Sequence, residues 1–156
     1  MAVKAGKAVI AALNEVLTAE LTAVNQYFLH AKMLQNWGYT KLATTVRAES
    51  IDEMKHADAL IERILYLDGT PNVQKLGRIR IGETVPEMWA SDRALEEDAI
   101  PRLNTAIALC GEHADHGTRQ LLDMILASEE QHLDWLETQE RLIAQLGLAA
   151  YLAEQL

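Results

Sequence analysis

Apolar residues return at steps of three and four over four long stretches, the period of helices that bury one face. In the first, predicted over Lys7–Asn36, the stripe is Val9, Leu13, Val16, Val24, Tyr27, Ala31 and Leu34. The second, over Lys41–Leu67, carries Leu42, Val46, Leu60, Ile64 and Leu67. The third opens at Thr84 and carries Val85, Trp89, Ala99, Leu103 and Ile107; the fourth, Thr118–Leu146, carries Leu122, Ile125, Leu136 and Ile143. The punctuation agrees. Trp37-Gly38 ends the first helix and Thr40 is placed to cap the second, which Asp68-Gly69 closes and Pro71 keeps from continuing. Thr84-Val-Pro-Glu87 has the form of a capping box with proline in the first turn, and Gly111–Gly117 that of a short turn. Pro101 lies inside the third helix and should kink it or loosen a turn. Gly147 stops the fourth helix, and Leu148–Leu156 is expected to form a fifth. It is too short to be stable alone and must pack on its own bundle or on another subunit.

Two connections are short, which makes their helices antiparallel neighbours. The third, Asp68–Glu83, carries four Gly or Pro residues and the alternation Arg78-Ile79-Arg80-Ile81. A helix of ~27 residues is about 40 Å long, and ~14 extended residues reach about 45 Å. This segment can therefore run the length of the bundle and start the third helix parallel to the second.

Charge breaks each stripe once. Glu20 sits on the first, Glu53 and His56 on the second, Glu96 on the third, Glu129 and His132 on the fourth. Glu and His three residues apart share a helix face and can reach one metal ion. A lone Glu-x-x-His means little, but here the pattern occurs twice, each with a single Glu 33 residues before its own. A constant offset of 76 carries Glu20, Glu53 and His56 onto Glu96, Glu129 and His132, and selects Glu96 over the adjacent Glu97. One Glu from each of two helices with Glu-x-x-His from each of two others is the carboxylate-bridged two-metal site of ferritin-like bundles. The expectation is an all-α, ferritin-like four-helix bundle with one long crossover and a short C-terminal fifth helix, a single two-metal domain over residues 1–156.

Four carboxylates buried and charged would be strongly destabilising if left empty. Two divalent ions would bring +4 against −4. Oxygen-rich ligation with two imidazoles and no thiolate suits iron or manganese, whereas zinc would be redox-silent. Glu20 with His56 would hold one metal, Glu96 with His132 the other, and Glu53 and Glu129 would bridge them. Tyr27, seven residues after Glu20, and Trp135, three after His132, have two readings: aromatic packing, or supply of an electron while oxygen is reduced. Asp52 is placed to hydrogen-bond a ligand imidazole or to sit in solvent. His30, His113 and His116 read as surface or turn residues, and Met33, Met88 and Met124 as packing.

Composition narrows the partners. Acidic residues exceed basic ones by 23 to 14, for a net charge of −9, which lacks the basic footprint of nucleic-acid binding. Cys110 is the only cysteine, so neither an intrachain disulfide nor a Cys-x-x-Cys iron centre can form. The early lysines Lys4 and Lys7 are followed by the apolar run Ala8–Leu13, too short for a signal peptide or a membrane span. A cytoplasmic protein is the expectation.

At these residues the chain resembles the bacterioferritins over nearly its whole length. The likeness is carried by Glu20-Leu-Thr-Ala-Val-Asn-Gln-Tyr-Phe-Leu-His30, Glu49-Ser-Ile-Asp-Glu-Met-Lys-His-Ala-Asp58, Asp68-Gly69 with Pro71-Asn72, and Glu129-Glu-Gln-His-Leu-Asp-Trp-Leu-Glu137. The resemblance implies a shell of 24 subunits that oxidises Fe(II) with O2 or H2O2 and stores ferric mineral. It implies two iron ions per subunit on the same six residues, a homo-oligomer built from haem-bridged dimers, and a ferredoxin-type electron donor. It also implies haem b shared between two subunits through Met54, which helix geometry turns about 100° from Glu53. Some members carry His at the position of Ala48, thought to bind iron inside the shell; Arg47-Ala48 cannot do so here. Three alternatives stand beside this reading: a di-metal oxidase or peroxidase without a cage, a non-haem ferritin, and a bundle serving only as a scaffold.

Overall fold

The computed structural model describes residues 6–156; Lys4 lies outside them. Its helices are α1 (Lys7–Asn36), α2 (Thr40–Tyr66), α3 (Val85–Glu112), α4 (His116–Leu146) and the short α5 (Leu148–Ala153). The expected all-α bundle with one long crossover is the architecture found. α1 packs along α2 and α3 along α4, with α1 against α3 closing the bundle.

The stripes meet in two apolar clusters with a polar waist between them. One gathers Leu13 and Leu17 of α1, Leu60 and Ile64 of α2, Leu103 of α3, and Leu122 and Ile125 of α4. The other gathers Tyr27 and Leu34 of α1, Leu42 and Val46 of α2, Met88 and Trp89 of α3, and Leu136 of α4. Each large side chain so buried contributes ~1.5–3 kcal/mol. On every helix the charged residues singled out by spacing fall between its contributions to the two clusters. The waist is thus held rigidly from both sides.

The crossover, residues 68–84, has no strand partner and solves its backbone hydrogen bonding another way. A row of polar side chains on α1 accepts from its amides: Asn14 Oδ1 from Asn72 (2.8 Å), Thr22 Oγ1 from Gly77 (2.8 Å), Gln26 Oε1 from Arg80 (3.0 Å) and His30 Nε2 from Gly82 (3.0 Å). Both partners advance in the same direction, so the segment runs along α1 and delivers α3 parallel to α2. Gly82 is required by close approach, since a Cβ there would lie 2.4 Å from the backbone nitrogen of Met88.

His30 is not the surface residue expected. It is fully buried, its Nε2 taken by Gly82 and its Nδ1 2.8 Å from Asp92 Oδ1, which also accepts from Gln26 Nε2 at 2.8 Å. The bonding fixes a neutral imidazole with the proton on Nδ1. Burial holds the Asp92 carboxyl above its usual range, although bonds from His30 and Gln26 pull the other way. His30→Ala should destabilise the protein by about 2–4 kcal/mol, because the Gly82 amide and Asp92 lose a buried partner. Thermal melting should fall by roughly 5–10 °C, while His113→Ala, in an exposed turn, leaves it unchanged. Equal melting points would show that the buried network contributes nothing.

The helix ends hold smaller corrections. Thr40 is the first residue of α2, not its cap; Tyr39 occupies that position without a side-chain bond. The Lys41 amide is instead satisfied by the Gln155 carbonyl just after α5 (3.1 Å). Thr84 caps α3 by accepting from the Glu87 amide, but Glu87 reaches back to the Glu83 amide, one residue beyond the usual box. The turn before α4 is only residues 113–115, because Asp115 caps the helix and also binds Arg63 (3.1 Å). Pro101 leaves α3 unbroken; it is exposed, and so is Glu97, whose carbonyl it deprives of a partner. Met88 is buried and Met33 half-buried, as expected, whereas Met124 is exposed.

Gly147, at φ 82°, ends α4 in a conformation costly for other residues and turns the chain into α5. Of the two packings foreseen for this helix, the one on its own bundle is found: Tyr151 is buried and donates to Gln139 Oε1 at 2.7 Å. Although the run Ala8–Leu13 alone is too short, α1 as a whole is long and apolar enough to cross a membrane. Its buried stripe packs within the bundle.

Candidate metal centre

Four helices each send their waist residues to one point. Glu20, Glu53, Glu96 and Glu129 are buried to 3% exposure or less, with His132 also buried and His56 partly so. Two overlapping donor groups result, Glu20, Glu53, His56 and Glu129 in one, and Glu53, Glu96, Glu129 and His132 in the other. Within each, one ligand atom per residue lies within 4.8 Å of the others. Glu53 and Glu129 belong to both.

Both imidazoles present Nδ1 inward. His56 Nδ1 lies 3.3 Å from Glu20 Oε2, 3.2 Å from Glu129 Oε1 and 3.7 Å from Glu53 Oε2. His132 Nδ1 lies 2.9 Å from Glu53 Oε1 and 3.7 Å from Glu96 Oε1. The closest of these lacks the alignment of a hydrogen bond. Glu53 Oε1, Glu96 Oε2, Glu129 Oε1 and His132 Nδ1 are therefore buried with no partner. Such orphan atoms are costly, and a pair of cations between them would satisfy all four. The donors fit metal.

Several further residues surround the donors. Tyr27 is buried and donates its hydroxyl to Glu96 Oε1. Burial and the neighbouring carboxylates, Glu96 foremost, push its phenol well above the ordinary value and keep it protonated. Asp52 reaches His132 Nε2 only at 3.6 Å and is half-exposed, so it is an electrostatic neighbour, not a hydrogen-bond acceptor. Trp135 packs edge-on against Trp89 at 5.2 Å between ring centres. Glu49, one turn before Glu53, was not singled out by pattern, yet it is buried, and burial pushes its carboxyl up to about 8. Its signal was present: it falls on the inward face at i−4 from Glu53.

In the metal-free site, protons share the charge. Burial raises Glu20 and Glu129 well above the carboxylate range, with further increments from Glu53 for the first and Glu96 for the second. Burial also pushes Glu53 up, but the neighbouring Glu20, His132, His56 and Glu129 outweigh it and hold that carboxylate low. Burial opposes charge on His132, yet Glu53 and Glu96 hold its imidazolium up to about 11. A raised carboxyl binds a proton that the unfolded chain has lost, so its contribution falls as pH rises from the ordinary value through the raised one. The His132 contribution is complete below its ordinary 6.5 and is lost toward 11. The low value of Glu53 acts only in more acidic solution. The signs therefore agree above neutrality. The melting temperature of metal-free protein should fall by roughly 5 °C or more between pH 5 and pH 8, and saturating Zn(II) should remove or reverse that slope. A flat profile without metal would show that no protons are shared.

A family model for the ferritin-like domain matches residues 10–146. The bacterioferritin of Mycolicibacterium paratuberculosis is 53% identical, the alignment covering 94% of this chain and 92% of that protein. That of Streptomyces coelicolor is 52% identical over 93% and 87%. The crystal structure of BfrA from M. tuberculosis superposes with a TM-score of 0.96 at 49% identity, over 98% of this chain and 95% of that one. Identity of about half, sustained over nearly the full length of both partners, shows that the chain belongs to the bacterioferritin family of iron-storage proteins.

Proposed function

We propose that this protein is a ferroxidase, an Fe(II):oxygen oxidoreductase, that stores the ferric product as mineral inside a 24-subunit, haem-binding shell in the cytoplasm. The observation that carries the reading is the pair of donor groups sharing Glu53 and Glu129. Glu20 and His56 would hold one iron, Glu96 and His132 the other, and the two shared carboxylates would bridge them. Two ferrous ions so held supply the two electrons that reduce O2 to H2O2, or H2O2 to water.

The chain's own residues do the rest. The two apolar clusters fix the six donors before metal arrives, which is the preorganisation such a site needs. Tyr27 orients Glu96 through its hydroxyl, and its place beside the centre would suit it to supply one electron in place of a ferrous ion when oxygen is reduced beyond peroxide, with its proton passing to Glu96 Oε1. Entry of two divalent ions displaces the protons held on Glu20, Glu129 and His132, so loading at pH 7 should release roughly two to three protons per chain.

Haem is assigned to an outward face. Arg47, Ile51 and Met54 are exposed at i, i+4 and i+7 of α2, and the Arg47 guanidinium lies 5.2 Å over the Phe28 ring of α1. A thioether on an exposed apolar strip fits a haem iron and its ring, and Met54 would share that haem with the same residue of a second subunit. Bound there, haem supplies a one-electron path, to which a ferredoxin-type donor would deliver electrons for iron release. Ala48 is exposed on α2 and offers no ligand of its own.

Ferrous iron added in air to metal-free protein tests the reading. Absorbance should show a fast phase saturating near two irons per chain and slower uptake far beyond it, in a particle with the mass of 24 chains. Absence of any fast phase would remove the oxidation claim; a small particle without slow uptake would favour the non-cage oxidase.

A further inference from the structure

The chain has eight arginines, and their partners divide them sharply. Arg63, Arg93 and Arg119 pair with carboxylates, Arg47 stacks on Phe28, and Arg141 donates to Thr138. Among the described residues, the other three guanidinium groups, of Arg78, Arg80 and Arg102, have no hydrogen bond, ion pair or ring beneath them. All three line one cleft of about 620 Å³ between α1, the crossover and α3.

Two different elements build this arrangement. Arg78 and Arg80 are alternate residues of an extended segment, so their side chains leave on the same side. The Arg80 amide is anchored to Gln26, which fixes that segment against α1. Arg102 lines the same cleft from α3, where its charge opposes the rise of the Glu20 carboxyl, and Lys75 adds a fourth positive charge. Glu15 and Asp98 line the same cleft, as do Glu20, Glu53, Glu96 and Glu129 of the metal centre, so the four cations and the metal-binding carboxylates share one cavity. A planar guanidinium fork matches an oxyanion in shape as well as charge, and unpaired arginines converging from two sides are the usual form of such a site. Thr18 and Ser91 add hydroxyl groups to the lining.

We propose that the mouth of this cleft binds a small oxyanion, of the phosphate or polycarboxylate class, between Arg78 and Arg80 of the crossover and Arg102 of α3. A ferrous ion approaching Glu20 and Glu53 by this route would pass the three arginines. An oxyanion seated there cancels their repulsion and admits the metal. This consequence rests on the ferroxidase reading; the binding itself does not.

The test is calorimetric titration of the assembled, metal-free protein at low chloride, with inorganic phosphate and, separately, with citrate. Saturable binding near one anion per chain is expected, weakened about tenfold or more in Arg78→Gln/Arg80→Gln. Arg119→Gln, which breaks an ion pair with Asp123 outside the cleft, should bind like the unaltered protein. Binding of phosphate alone or of citrate alone would identify the occupant within the class. Should the double variant fail to assemble, Arg102→Gln carries the same comparison. No saturable heat with either anion, or equal affinity with and without the cleft arginines, would overturn the proposal whatever the outcome of the iron experiments.

Discussion

Glu53→Ala should abolish the fast phase of ferrous oxidation, lowering its initial rate by at least about 100-fold. No other change of one residue, save that of Glu129, touches both donor groups at once. Glu53 is fully buried, its Oε2 3.7 Å from His56 and its Oε1 2.9 Å from His132, so alanine takes a donor from each metal position. It also leaves three carboxylates against four positive charges, in a place where water cannot make up the difference. The metal-free variant should nevertheless fold, because removing a buried carboxylate relieves repulsion among the remaining three. Absorbance after addition of Fe(II) in air reads the rate, and melting of the same preparation reads the fold. A variant that keeps the fast phase at two irons per chain would falsify the bridging assignment.

Met54→Leu should leave iron oxidation unchanged and remove haem. Leucine keeps the apolar surface and nearly the volume but has no sulfur to bind the haem iron. Met54 is 51% exposed while its neighbour Glu53 is buried, so the substitution lies on a face of α2 turned about 100° from that donor. The expected result is loss of the Soret band after reconstitution with haem, beside an unaltered ferrous-oxidation trace. If leucine binds haem as well as methionine, another group ligates it. If oxidation falls as well, the two faces of α2 are coupled in a way that their geometry does not suggest.

Much of the fold was legible because it depends on periodicity. Periodicity and punctuation bound α1 to the residue, and α2 and α4 to within two residues of their observed ends. The site was legible for a different reason: a duplicated half-site repeats its own spacing, so Glu20, Glu53 and His56 vouch for Glu96, Glu129 and His132. What escaped has no local signature. His30 looked like a surface residue because its partners, Asp92 and Gly82, are 62 and 52 residues away, and no pattern links them. Asp115 was missed as a cap because Gly117 seemed to hold the turn open; pairing with Arg63 of α2 closes it. Glu49 differs: its place on the inward face, one turn before Glu53, is a signal in the sequence, but a lone carboxylate on a helix is usually solvated and this one is buried.

The side chains of α1 that accept from the crossover also act as a ruler. From Thr22 through Gln26 to His30 each step is one helical turn, a rise of about 6 Å. The amides they meet, at Gly77, Arg80 and Gly82, are three and then two residues apart, and two extended residues cover about 6.6 Å. The last interval is therefore taut and the one before it carries slack. Loss of a residue between Gly77 and Arg80 could be absorbed by straightening. Loss of one between Arg80 and Gly82 could not, and α3 would begin out of phase, turning Glu96 away from the other three carboxylates. The length of a segment that contributes no metal ligand thus sets the rotation of a helix that does.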